Sequence, residues 1–238
     1  MALVTGASRG IGAATARALA EAGARVVRIA RSLSPDRGAA YLDIACDLTD
    51  ATQVDALAAR LRGSEGVPAV VVNNAGGFLL ESLDRTTPDA FDAQIALNLR
   101  GAFLLARAFL PAMRDAGGGS FISIGSVADH TGFPENAAYA ASKYGLRGLH
   151  ETLVSEYRGT GVRLTLVSPG ATDTTIWDPF APEQRPGFPT RQAMLRPADV
   201  ADAVVFAATR PEHVHVDWIR LGPSGRPSSP PTPSSDHA

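Results

Sequence analysis

Short apolar runs alternate with longer segments of helical periodicity along almost the whole chain. The runs lie at 2–5, 25–30, 41–45, 69–73, 120–124, 163–168 and 214–221, and helical patterns fill 11–22, 51–61, 91–114, 138–158 and 198–208. Strands that alternate with helices build βαβ units, and such units stack into a parallel sheet covered on both faces. The pattern therefore predicts an α/β fold, doubly wound around seven parallel strands, with right-handed crossovers. A chain of 238 residues accommodates this as one domain, over 1–221. No internal repeat of fixed period competes with that reading.

Two segments fall outside the alternation. Residues 174–196 gather Trp177, Phe180 and Phe188 among Pro179, Pro182, Pro186 and Pro189. A loop of that length in a compact domain is a lid or binding loop, or else disordered. Residues 222–238 are rich in Pro and Ser and nearly free of large apolar side chains. They cannot bury enough surface to offset their ordering entropy, which predicts a disordered tail.

Composition narrows the function. A net charge of −2 offers no basic footprint for nucleic acid and no polybasic membrane patch. No run of 18 uninterrupted apolar residues marks a membrane span. One cysteine, Cys46, excludes an internal disulfide, fits a reducing compartment and reads as a small buried hydrophobe. The first residues enter a strand with no charged lead-in and long apolar run, so a signal peptide is not expected and a cytoplasmic location is.

The first strand ends in Thr5-Gly6-Ala7-Ser8-Arg9-Gly10-Ile11-Gly12 and a helix follows. A glycine-rich strand-to-helix turn lets backbone approach a pyrophosphate, and the helix N-terminus supplies N–H donors and partial positive charge. The competing role is a tight turn that serves helix–strand packing alone. At the end of the second strand an Asp or Glu for the ribose hydroxyls is expected of an NAD site. Here that position carries Arg31 and no acid, and Arg9 lies in the glycine loop. Both favour NADP(H) over NAD(H), with its extra 2′-phosphate, unless both are solvated surface residues.

Lys143 is the chain's only lysine among 22 Lys and Arg residues. Arg serves almost everywhere a cation would do, so the retained ammonium points to a site where its compact charge matters. It stands four residues after Tyr139, on the same face of a predicted helix. A positive charge so placed is expected to lower the Tyr139 pKa and prepare a general acid/base. His213 and His215, two apart on a predicted strand, have a metal-pair spacing, but no Cys or carboxylate cluster supports them and no metal site is expected.

With these residues in view, the chain resembles the compact branch of the short-chain dehydrogenase/reductases from Ala2 to about Leu221. The resemblance rests on the glycine turn, Asp47 after the third strand, Asn73-Asn74-Ala75-Gly76, the Ser126/Tyr139/Lys143 set, and Pro169-Gly170 after the sixth strand. It implies a Rossmann fold and interconversion of a carbonyl and a secondary alcohol. It further implies that Tyr139 exchanges the proton, Lys143 holds the nicotinamide ribose and tunes Tyr139, Ser126 polarises the substrate carbonyl, and Asn98 maintains a relay water. Cofactor contacts are implied for Gly6, Ser8, Arg9, Gly10, Ile11, Gly12, Arg31, Asp47, Asn74, Ala75, Gly76, Pro169, Gly170, Thr172 and Thr174, besides Tyr139 and Lys143.

Two other functions compete with this one. A non-catalytic dinucleotide sensor usually lacks the Tyr or the Lys. A 3-oxoacyl reductase usually ends its last strand in Val-Asp-Gly-Gly, absent here. The expected ligand is a small carbonyl or alcohol. The helices at 98–114 and 138–158 carry more apolar side chains than one buried stripe requires, among them Phe103, Leu104, Ala106, Phe109, Leu146, Leu149, Leu153 and Val154. That excess predicts a homodimer or homotetramer. Tyr144, on another face of the second helix, is expected to pack.

Overall fold

The computed structural model describes residues 1–33 and 40–224. Seven strands, β1 Ala2–Thr5, β2 Val26–Ala30, β3 Tyr41–Ala45, β4 Val70–Asn73, β5 Gly119–Ile124, β6 Val162–Pro169 and β7 Trp218–Leu221, form one all-parallel sheet. Their order is β3-β2-β1-β4-β5-β6-β7. Among the described residues six α-helices connect them: α1 Gly10–Glu21, α2 Ala51–Ser64, α3 Pro88–Ile95, α4 Gly101–Asp115, α5 Ala137–Glu156 and α6 Pro197–Ala208. This is the doubly wound architecture that the alternation of runs predicts, and strand order reverses between β1 and β4, where such sheets open a crevice.

Strand alternation divides the core in two. Leu3, Val27, Ile29, Val71, Phe121 and Leu164 face the layer of α2 and α4, while Ala2, Val4, Val26, Val72, Ile122 and Val167 face α1 and α6. Each large side chain so buried contributes roughly 1.5–3 kcal/mol. Helix starts follow local chemistry. Asp50 caps α2 by accepting from the N–H groups of Thr52 and Gln53, and Thr87 caps α3 ahead of Pro88.

The segment expected as one helix at 91–114 runs from Pro88 to Asp115 and contains a π turn, Ala96–Arg100, between α3 and α4. By length and composition alone it could cross a membrane. Its apolar side is accounted for by the sheet, since Leu104, Leu105, Phe109 and Met113 are buried in the core.

The last strand is shorter than the run at 214–221. Ladder pairing with β6 begins at Trp218 opposite Leu166. Before it, the Asp217 carbonyl accepts from the Leu166 N–H at 2.9 Å, and further back side chains take the bonds: Thr165 donates to the Val216 carbonyl and His215 Nε2 lies 2.7 Å from the Leu164 carbonyl. His213 and His215 thus precede the strand, and no group of three metal-ligating side chains forms among the described residues. The predicted tail lies outside the described residues beyond Ser224.

Candidate active site

A cavity of about 1510 Å³ opens along the C-terminal ends of the strands, from the crevice beside β1 to the loop after β6. Its first wall is the turn from β1 into α1. Gly6 has φ +64°, and a Cβ there would lie 2.8 Å from the Ala75 Cα. The Thr5 hydroxyl accepts from the N–H groups of Asn74 and Ala75, both at 3.0 Å, and Asn74 Nδ2 donates to the Thr5 carbonyl at 2.9 Å. These bonds tie the end of β4 to the glycine turn. No side chain caps α1, so its first N–H groups are left for a ligand.

Gly6, Ser8, Arg9, Gly10, Ile11, Arg31, Asp47, Asn74, Ala75, Gly76, Ser126, Tyr139, Lys143, Pro169, Gly170, Thr172 and Thr174 all line this cavity. Two candidates do not. Gly12 sits beneath the turn, where a Cβ would meet the Gly6 carbonyl at 2.3 Å. It therefore serves the packing of α1 against the turn, not direct contact with a ligand. Asn98 is buried in the π turn, where its Oδ1 accepts from the Gly77 N–H at 2.8 Å. Its Nδ2 donates to the Gly77 carbonyl at 3.0 Å and to Ser142 Oγ at 2.9 Å. Ser142 Oγ in turn donates to the Tyr139 carbonyl at 2.7 Å. Asn98 thus braces the cavity floor to the helix of Tyr139 from behind.

At the far end of the crevice Asp47 accepts from the Thr49 N–H and hydroxyl. Arg9 and Arg31 are exposed, and among the described residues neither guanidinium has a hydrogen-bond or ion-pair partner. Arg28, within β2, pairs with Asp43 at 2.7 Å and lies over the Tyr41 ring. Cys46 is free and buried, and burial pushes its thiol up, the behaviour of a packed hydrophobe.

Tyr139 and Lys143 stand on one face of α5 as their spacing predicts, with Lys143 Nζ 5.8 Å from the Tyr139 ring centre. The expected electrostatics differ. Burial pushes the Tyr139 phenol up to about 12, a hydrogen bond from Ser126 works against this, and the Asp129 charge adds to it. Burial also brings Lys143 down to about 8. The ammonium donates to the Ile124 carbonyl at 2.9 Å. Desolvation of the phenolate therefore outweighs any help from Lys143, and the Tyr139 proton is held tightly.

Ser126 follows β5 and starts a short 3₁₀ turn, Val127–Asp129, accepting from the Ala128 N–H at 3.1 Å. Behind it lies a set of groups for which the sequence offered no motif. Asp129 is fully buried; its Oδ2 accepts from the Ser126 N–H at 3.1 Å and from the Ser168 hydroxyl at 2.5 Å.

The segment at 174–196 is ordered as three short turns, Thr175–Phe180, Pro182–Gln184 and Arg191–Ala193. Arg191 knits it together through Asp173 at 2.8 Å and Asp178 at 2.6 Å. Arg185 reaches across to Glu135 at 2.7 Å. The inner side is aromatic. Phe78 meets Tyr139 edge-on at 4.9 Å between ring centres, Trp177 at 5.1 Å and Phe180 at 5.2 Å.

A doubly wound sheet with a glycine-lined crevice, and a half-buried Tyr139 beside a buried Lys143, defines a dinucleotide-dependent oxidoreductase. A family model described as short chain dehydrogenase matches residues 1–185. The chain belongs to that family. It is 35% identical over 224 residues to a D-threitol dehydrogenase of Mycolicibacterium smegmatis, covering 88% of this chain and 85% of the relative. It is 33% identical over 233 residues to an uncharacterised oxidoreductase of Staphylococcus aureus, covering 94% and 96%. Among solved structures, a metagenomic short-chain oxidoreductase in complex with NADP superposes with a TM-score of 0.78 at 37% identity, over 92% of this chain and 95% of that one. Serine dehydrogenase from Escherichia coli superposes with a TM-score of 0.82 at 26% identity, over 93% and 97%.

Proposed function

We propose that the protein is an NADP(H)-dependent oxidoreductase that interconverts an uncharged, largely apolar ketone and its secondary alcohol, with Ser126, Tyr139 and Lys143 as the reacting set. The bound dinucleotide supplies hydride to the carbonyl carbon, or takes it from the alcohol carbon. Tyr139 gives the carbonyl oxygen its proton. A phenol that keeps its proton up to about 12 is in the acid form at neutral pH, which suits reduction. The Ser126 hydroxyl stabilises charge that develops on that oxygen. Lys143 sits at the Ile124 carbonyl, at the floor between Tyr139 and Gly76, where ribose hydroxyls would reach it. Asn98 acts through Gly77 and Ser142.

The choice of NADP(H) is carried by Arg9 and Arg31, two guanidinium groups without a partner among the described residues, at the cavity end where a 2′-phosphate would lie. Relatives crystallised with NADP support it. The substrate class is carried by the inner lid. Phe78, Trp177, Phe180 and Phe188 surround the approach to Tyr139, while the nearby charges Glu135 and Asp178 are already paired with Arg185 and Arg191. No described cation is left there to hold a carboxylate, and no polar row matches a polyol. We further propose that the protein works as a homo-oligomer, in a reducing compartment.

The test is a panel of aryl ketones, polyols, hydroxy acids and amino acids, read by absorbance of the reduced cofactor, with Tyr139→Phe alongside. Aryl ketones should be turned over with NADPH, and Tyr139→Phe should lose more than about 99% of that rate while binding NADPH normally. Turnover confined to polar substrates would overturn the substrate class, and an active Tyr139→Phe would overturn the site.

A further inference from the structure

We infer that Asp129, His130 and Arg220 form a positioning relay through which the last strand holds Ser126 and sets the charge that Tyr139 and Lys143 experience. The inference rests on the proposed reading of those three residues as the reacting set. It starts from a fully buried carboxylate that needs every oxygen lone pair matched. Oδ2 takes the Ser126 N–H and the Ser168 hydroxyl, and Oδ1 lies 2.5 Å from His130 Nδ1. His130 Nε2 lies 2.7 Å from Arg220 Nη2. Arg has donors only, so Nε2 must accept and the imidazole proton must sit on Nδ1, donated to Asp129. Arg220 thereby keeps His130 neutral and links itself to Asp129 as an ion pair with an imidazole between.

The same strand makes a second approach. Trp218 Nε1 donates to Ser168 Oγ at 2.8 Å, the hydroxyl that serves Asp129. The guanidinium groups of Arg147 and Arg220 lie over the Trp218 ring, 4.7 Å and 5.3 Å from its centre, and the ring is edge-on to His130 at 5.5 Å. If Asp129 served only to cap the 3₁₀ turn, one oxygen would suffice. Here the second oxygen continues through His130 to an exposed arginine on another element.

Charged groups near His130 are Asp129 on its own turn, Arg220 on β7 and, through its contact with Trp218, Arg147 on α5. Tyr139 and Lys143 of α5 lie within range of the Asp129 charge, which raises both of their pKa values. With Arg220 removed, Nε2 loses the donor that occupies its lone pair and is free to take a proton beside the Asp129 carboxylate. That proton would offset the Asp129 charge and loosen its hold on Ser126.

The experiment compares the full-length wild type, Arg220→Met and Arg220→Lys. Nitrogen NMR of 15N-histidine-labelled protein reads the His130 tautomer, and steady-state rates are taken from about pH 5 to 8. Met keeps the apolar cover over Trp218, and Lys can still donate to Nε2. In the wild type His130 should stay neutral with its proton on Nδ1. In Arg220→Met it should titrate, kcat should fall about tenfold with the cofactor KM unchanged, and the rate profile should gain an ionisation at the His130 midpoint. Arg220→Lys should restore both the tautomer and most of kcat. A His130 that never titrates in Arg220→Met, one that titrates without effect on the rate, or a fall in kcat with an unchanged profile would each overturn the relay. Should the wild type turn over no carbonyl at all, the site reading fails, while the tautomer measurement still decides whether Arg220 holds His130.

Discussion

At the scale of single residues the buried Lys143 is a burden on the fold. The Lys143 ammonium is buried and brought down to about 8, from the usual 10.5. Between those values the unfolded chain binds a proton that the folded protein does not. Stability due to this group therefore rises with pH from about 8 to 10.5, and the full cost applies below 8. Tyr139 acts in the opposite sense, since its folded form keeps a proton to about 12 and stability is lost from about 10 to 12. Lys143→Met should abolish turnover yet melt about 2–5 °C above the wild type at pH 7, a margin that shrinks by pH 10.5. Calorimetry at the two pH values checks this, and a lower midpoint at pH 7 would count against it. Lys143→Arg should also be severely impaired, because the planar fork does not fit a pocket shaped to one ammonium. Arg31→Asp should move kcat/KM toward NAD(H) by about tenfold or more; an unchanged ratio between the two cofactors would show that Arg31 does not meet the phosphate.

At the scale of elements the π turn and the lid do what regular helices could not. The wide turn at Ala96–Arg100 brings Asn98 against both backbone groups of Gly77, and such turns occur often at functional sites. Asn98→Leu would leave those groups and Ser142 without their partner. We expect the midpoint to fall by roughly 5–10 °C and kcat to fall with it, measured by thermal melts and steady-state rates; a variant as stable as the wild type would show that water replaces the side chain. The lid contributes aromatic surface more than ionic strength. Its Arg185–Glu135 pair is partly exposed, and such pairs add at most about 1 kcal/mol. Trp177, whose indole donates to the Thr172 carbonyl at 3.1 Å, is fixed in place. Trp177→Ala should raise KM for an aryl ketone about tenfold or more and leave KM for NADPH unchanged.

At the scale of the whole molecule, assembly has a narrower basis than helix composition suggests. Leu104, Ala106, Phe109 and Leu146 are buried within the monomer, so they offer nothing to a partner. What remains exposed is Phe103 at 49% on α4 and Tyr144 at 45% on α5, and Tyr144 therefore does not pack within its own subunit. Adjacent helices that leave large rings in water present a surface for another subunit. Light scattering should give a multiple of about 24.8 kDa, and the Phe103→Glu, Tyr144→Glu double variant should dissociate. An active wild-type monomer at micromolar concentration would refute the oligomer.

What could be read from residues alone was whatever depends on period and local order. Alternating apolar runs specify a parallel sheet because each run must be covered on both faces, and the turn after β1 and the Tyr139–Lys143 spacing are visible because they lie within a few residues of one another. Distances across the sheet are not encoded that way. Ser168 lies 39 positions from Asp129 and Arg220 lies 90 from His130, and nothing local marks them as partners. Gly12 and Asn98 fall within recognisable motifs, yet only packing shows that they stand behind the cavity. The direction of the Tyr139 shift likewise belongs to tertiary structure: sequence places a cation four residues away, but burial decides how much that charge weighs against desolvation.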